Sequence, residues 1–179
     1  MKGVVFNLLE TVVARDHGED VWDALLDDTG LDGVYTSLGN YDDADLTALA
    51  AAAAVRLSVP EDEVIRWFGR NALPLLADHY PQLFVPDDDA RSFVLTLNAI
   101  IHPEVRKLYP GAITPEFSFD AADPRCLVMS YCSPRKLCAF AEGLLQGTAD
   151  FYSERVDIAQ PECMNRGDEQ CRLEITFDR

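Results

Sequence analysis

Up to about residue 110 the apolar positions recur at helical intervals, and beyond Pro110 they shorten into runs with strand character. In "LGNYDDADLTALAAAAAVRLSVPEDEVIRWFGRNALPLLADHYP" the acids Asp42, Asp43 and Asp45 precede an Ala-rich run, where negative charge favours a helix start. Ser58 and Glu61 then fit a capping box, with Pro60 tolerated in the first turn of a second helix. Pro74 falls inside that helix and is expected to kink or break it near residues 70 to 74. Asp87 to Asp89 open another helix, "DARSFVLTLNAIIHPEVRKLY", in which Val94, Leu97, Ile101, Val105 and Leu108 keep helical spacing.

After Pro110, "TPEFSFD", "RCLVMSY", "ERVDIAQ" and "QCRLEITF" read as strands, with turn chemistry in "NRGDE". One helix, "PRKLCAFAEGLLQGTADF", interrupts them. Helices first and strands afterwards predict an α+β fold with an antiparallel sheet of about four strands. A chain of 179 residues is ample for one domain with a real core. We therefore take residues 1–179 as a single domain, helical to about residue 110 and sheet-forming from about 111.

Composition narrows the partners. With 48% hydrophobic residues and a net charge of −16, the chain folds and carries its acidity on the surface, where it repels nucleic acid and anionic lipid. The start "MKGVVFNLLETVVARDHG" lacks a signal-peptide pattern, and no apolar run nears the roughly 20 residues that cross a bilayer, so a cytoplasmic protein is expected. The five cysteines form an odd set in the C-terminal third, which disfavours a disulfide framework and leaves metal or thiol chemistry by a subset open.

No phosphate loop, GxSxG elbow, dinucleotide fingerprint or paired metalloprotease histidine is present, so no catalysis is expected. His102 borders the apolar stripe and precedes Pro103, which steers it away from helical geometry and perturbs the helix there. Alone, it reads as a core histidine. "MSYCSPRKLC" sets Tyr131, Ser133 and Arg135 at alternate positions, which share one face of an extended segment. Two hydroxyls and a planar five-donor fork suit two carboxylates or a phosphate, whereas a solvated strand face running into a Ser/Pro helix start is the plainer alternative.

The stretches "MKGVVFNLLE", "IHPEVRKLYPGAITPEF" and "YCSPRKLCAFAEGL" resemble the H-NOX family, the haem nitric oxide/oxygen binding domains related to the sensor domain of soluble guanylate cyclase. The resemblance spans nearly the whole chain and rests on His102, the Y-x-S-x-R motif 29 residues downstream, and Pro115 between them. It implies haem b held between the helical part and the sheet. His102 would be the axial ligand of the iron, and Tyr131, Ser133 and Arg135 would hold the propionates. Pro115 would press on the porphyrin, and Val5 and Leu144 would pack against it.

Oxygen-binding members resemble one another in a distal tyrosine where this chain has Phe140, and Leu9 and Pro74 match other distal positions, also without a donor. The resemblance thus implies a sensor for NO, which also takes CO and signals in trans to a histidine kinase or a cyclic-di-GMP enzyme. Cys138, Cys163 and Cys171 resemble zinc-liganding positions of some bacterial members, although neither Gln160 nor Asn165 is a good fourth ligand. A cysteine-based zinc or thiol redox switch is the alternative function.

Overall fold

The structure is a computed structural model that describes residues 1–84 and 89–178. Six helices come first: α1 (Gly3–His17), α2 (Glu19–Thr29), α3 (Asp43–Leu57), α4 (Glu61–His79), α5 (Ala90–Leu95) and α6 (His102–Leu108). There follow β1 (Glu116–Asp120), β2 (Cys126–Cys132), α7 (Cys138–Phe151), β3 (Arg155–Glu162) and β4 (Cys171–Asp178). The four strands form one antiparallel sheet in the order β1-β2-β4-β3, so the expected α+β plan holds. Among the described residues no helix is long and apolar enough to cross a membrane.

The Asp42 side chain caps α3 by accepting from the Ala44 N–H at 3.0 Å. The expected Ser58–Glu61 capping box does not form. Ser58 takes a left-handed φ of 56° and closes α3, so it is not free to cap α4, which starts behind Pro60 with Glu61, Asp62 and Glu63 at its positive end. Nor does Pro74 break α4. Its ring lies on the exposed side, and buried Phe68, Ala72, Leu73 and Ala77 hold the helix by packing on either side of it.

Asp89 caps α5 by accepting from the Ser92 N–H at 2.7 Å, whereas Asp87 lies outside the described residues. The long helix expected to follow is divided: α5, a π-helical turn over Leu97–Ile101, then α6. His102 itself keeps helical angles, φ −64° and ψ −39°, so the perturbation enters ahead of it. Pro103 lacks an N–H and crowds the carbonyl one turn back; the wider turn, with the His102 N–H on the Leu97 carbonyl, relieves both.

The two larger cores lie to either side of α4 and α7, and a smaller one of Ala50, Ala54, Val64, Ile65 and Ala139 joins α3 to them. Phe6, Val12, Leu25 and Leu49 fill the first, among α1 to α4. Leu127, Met129, Leu173 and Ile175 of the sheet pack with Leu145 of α7 in the second. Glycines let the two helices touch backbone to backbone: a Cβ on Gly143 would stand 2.0 Å from the Arg66 carbonyl oxygen, and one on Gly69 2.4 Å from that of Phe140. Arg66–Glu142 (2.9 Å) and Arg70–Asp150 (2.6 Å) ion pairs flank this seam.

Candidate functional site

A cavity of about 330 Å³ with mostly apolar walls opens between the helical part and the sheet. His102, Pro115, Tyr131, Ser133, Arg135, Phe140, Val5 and Leu144 all line it. Residues from Met1 to Thr148 are thus gathered on one space by α1, α4, the α5–α6 stretch, the sheet and α7.

His102 stacks on Phe117 of β1, with ring centroids 5.3 Å apart. Phe117 pairs in register with Tyr131 on β2, and their rings stand 5.9 Å apart. The sheet therefore sets the histidine and the first motif tyrosine on one wall. Burial, reinforced by the charge of Arg106, pulls the imidazole pKa down to about 4. His102 is accordingly neutral at physiological pH, with a ring nitrogen lone pair free for a metal. Sequence reading missed Phe117, although the alternation in "EFSFD" sets Phe117 and Phe119 on one face.

Tyr131 is buried, which pushes its hydroxyl up to about 12 even though Ser133 and the Leu137 backbone work the other way. The extended geometry expected of the motif ends at Cys132. Ser133 to Lys136 form a turn, closed by the Lys136 N–H on the Ser133 carbonyl at 3.1 Å, and α7 begins at Cys138 rather than at a Ser/Pro start. The turn brings Arg135 onto the cavity beside the buried Ser133, whose Oγ accepts from the Arg135 N–H at 3.3 Å. Lys136 adopts a φ of 52° to make the bend.

The Arg135 guanidinium donates from Nε to Asp43 Oδ2 at 2.8 Å and from Nη1 to the Ile113 carbonyl at 2.5 Å. Asp43 also meets the Met1 ammonium at 2.6 Å. Burial opposes its charge, yet the Met1 ammonium and Arg135 together hold its carboxyl below the usual range. Asp43 had read only as a helix-start acid; no local signal links it to an arginine 92 residues on.

Two expected pocket residues lie elsewhere. Leu9 is buried in the first core and Pro74 faces solvent, and their neighbours Leu8 and Leu73 line the cavity instead. The replacement is also apolar. Phe140 packs on Phe68 at 5.0 Å, and Thr148 spends its hydroxyl proton on the Leu144 carbonyl at 2.8 Å. Two hydroxyls that sequence reading did not place in the wall, Tyr80 and Tyr109, hydrogen-bond each other.

The Sγ atoms of Cys138, Cys163 and Cys171, all buried, lie within 4.8 Å of one another, and those of Cys138 and Cys163 are 3.6 Å apart. Tetrahedral zinc with Zn–S bonds of about 2.3 Å holds sulfurs about 3.8 Å apart, close to that spacing. Burial raises the Cys138 thiol to about 12 and that of Cys171 above its ordinary value. Asn165 Nδ2 donates to Cys138 Sγ at 3.6 Å and the Met164 N–H to Cys171 Sγ at 3.2 Å. Cys126 and Cys132, both on β2, stand outside this group.

A sequence model described as Haem-NO-binding matches residues 2–160. Among solved structures, the chain is similar to an H-NOX protein from S. oneidensis in the Fe(II)NO ligation state, at 33% identity over 100% of both chains, with a TM-score of 0.93. It is likewise similar to an H-NOX domain from Shewanella oneidensis in the Fe(II)CO state (33% identity, 100% of this chain and 99% of that one, TM-score 0.90). An Fe(II) unliganded H-NOX protein from K. algicida matches at 25% identity over 100% and 97% of the two chains, with a TM-score of 0.89. A match over most of the chain, and full-length likeness at a third identity, establish that this chain belongs to the haem-NO-binding, or H-NOX, family.

Proposed function

We propose that this protein is a haem-based nitric oxide sensor that reports the state of its gas site to a separate signalling protein. One observation carries the reading: a neutral, half-buried imidazole and a Tyr-Ser-Arg set open onto the same apolar cavity. Haem b matches that donor set, since it needs one nitrogen ligand, apolar flanks, and donors for two carboxylates. His102 would hold the iron, Tyr131 and Ser133 would donate hydroxyl bonds to the propionates, and Arg135 would add a charge-assisted bond from the guanidinium nitrogen that neither Asp43 nor Ile113 takes. Val5, Leu144, Phe140 and Pro115 would supply the flanks. When bound, the haem would supply a ferrous iron able to take up a diatomic gas.

Phe140, Leu8 and Leu73 bring no hydrogen-bond donor to the cavity and the Tyr80 and Tyr109 hydroxyls bond each other, which supports NO and CO over dioxygen, whose polarised bound form gains from a donor. The related structures in Fe(II)NO and Fe(II)CO states fit that preference. The protein acts in the cytoplasm as a sensor rather than a catalyst, and a histidine kinase or a cyclic-di-GMP enzyme receives the signal. The test is an absorption spectrum of the purified protein. A Soret band that is altered in His102→Ala and restored by added imidazole is expected; a spectrum indifferent to the mutation overturns the assignment.

The thiol group supports a second reading, a zinc or redox switch beside the gas site, on the strength of its 3.6 Å sulfur spacing. Because burial keeps Cys138 and Cys171 protonated at neutral pH, zinc would have to displace thiol protons. Adding zinc to chelator-treated protein in weak buffer should release protons, and the Cys138→Ser variant should release fewer. No release from the wild type contradicts a zinc site.

A further inference from the structure

Tyr80 ends α4 and Tyr109 ends α6, each with its backbone N–H on the carbonyl four residues back. Both line the cavity, and their hydroxyls hydrogen-bond to each other. This joins the helix that carries His102 to a helix of the first core. It matters because α6 is thinly held. None of its own residues is buried, and it packs chiefly on the π-helical turn that it continues. Tyr109, just past its last residue, is 9% exposed.

The other polar ties of this stretch run toward the sheet. Arg106 Nη1 donates to Thr114 Oγ1 at 2.6 Å, and Asn98 of the π-helical turn donates to the Phe117 carbonyl at 2.7 Å. The α6 helix is thus strung between β1 and its lead-in on one side and α4 on the other. Seven residues, close to two helical turns, separate His102 from Tyr109, so a shift at one end reaches the other through a rigid rod. Burial and the facing hydroxyl raise the Tyr109 pKa well above the usual phenol value, so Tyr109 stays protonated at physiological pH.

We infer that the Tyr80–Tyr109 hydroxyl bond is a positioning tether that fixes the His102 helix against α4 and limits how far the imidazole moves relative to the cavity. The inference rests on the reading of His102 as the iron ligand. Phenylalanine at either position removes the bond and keeps the ring, so packing is preserved.

The test uses haem-loaded ferrous protein as wild type, Tyr80→Phe, Tyr109→Phe and the double variant. Hydrogen exchange at α6 amides reads the tether, and the iron–histidine stretching band reads the imidazole. Each single variant should speed α6 exchange by about 5-fold, the equivalent of one ordinary hydrogen bond, and shift the band. Exchange in α1 to α3 should not change. The double variant should go no further than either single one, because one bond has two ends. Unchanged α6 exchange and band, or effects that add in the double variant, overturn the tether. Should one variant misfold, the other probes the same bond from its opposite end. A wild-type protein with haem but no iron–histidine band refutes the His102 reading itself, and the tether's role with it.

Discussion

At the scale of single residues, His102 suits a metal because burial keeps its imidazole neutral. Its pKa falls to about 4 in the fold against about 6.5 in an unfolded chain, so as pH drops through 6.5 the unfolded state binds the proton first. Its contribution is intact above 6.5 and is lost progressively down to about 4. Cofactor-free protein should therefore lose stability over that window more steeply than its His102→Gln variant in denaturant titrations; equal slopes would place the imidazole in water. For the motif, a charge-assisted hydrogen bond exceeds a neutral hydroxyl bond by roughly twofold, so Arg135→Ala should shed haem to an apo-globin faster than Ser133→Ala. Identical rates would reduce the motif to a polar turn. Chemical type and spacing singled these residues out, and only the family resemblance attached roles to them. Asp43 and Phe117 were not marked this way, since each acquires its role from a partner that only the fold supplies: Asp43 from Arg135, 92 residues on, and Phe117 from the His102 ring.

At the scale of elements, periodicity found the helices and strands, and tertiary contacts moved their ends. Ser58 carries the right side chain for a cap but is used up in closing α3, and the "PRKL" run waits until Cys138 to become helical because the turn at Lys136 must first carry Arg135 to the cavity. The π-helical turn is the strain of Pro103 displaced one turn upstream, a length of wide helix no apolar pattern reveals. The seam between α4 and α7 depends on glycine in the same hidden way. Gly143→Ala would drive a methyl to 2.0 Å from the Arg66 carbonyl, where backbone faces backbone and neither can turn aside. It should cost about 1 to 3 kcal/mol or more, as overpacking does, and lower the thermal midpoint. A midpoint equal to wild type would mean the helices separate freely.

At the scale of the whole molecule, the order of helices before strands foretold the architecture, and the cavity between the two parts emerged only when both were folded. Ser133 and Arg135 meet it where the Ser133–Lys136 turn faces the start of α3, the Tyr80 and Tyr109 hydroxyls lie at the ends of α4 and α6, and its apolar walls come from α1, α4 and α7. Such a cavity suits a flat apolar cofactor with an anionic edge, and the proposed preference for NO rests on the apolar side chains of Phe140, Leu8 and Leu73. The visible spectrum of the dithionite-reduced, desalted protein, taken in air-saturated buffer and again under NO, tests this most directly. The expected outcome is a prompt spectral change with NO and no lasting oxygen complex in air. A long-lived oxy spectrum would mean that a donor reaches the gas, and would contradict an NO-selective site.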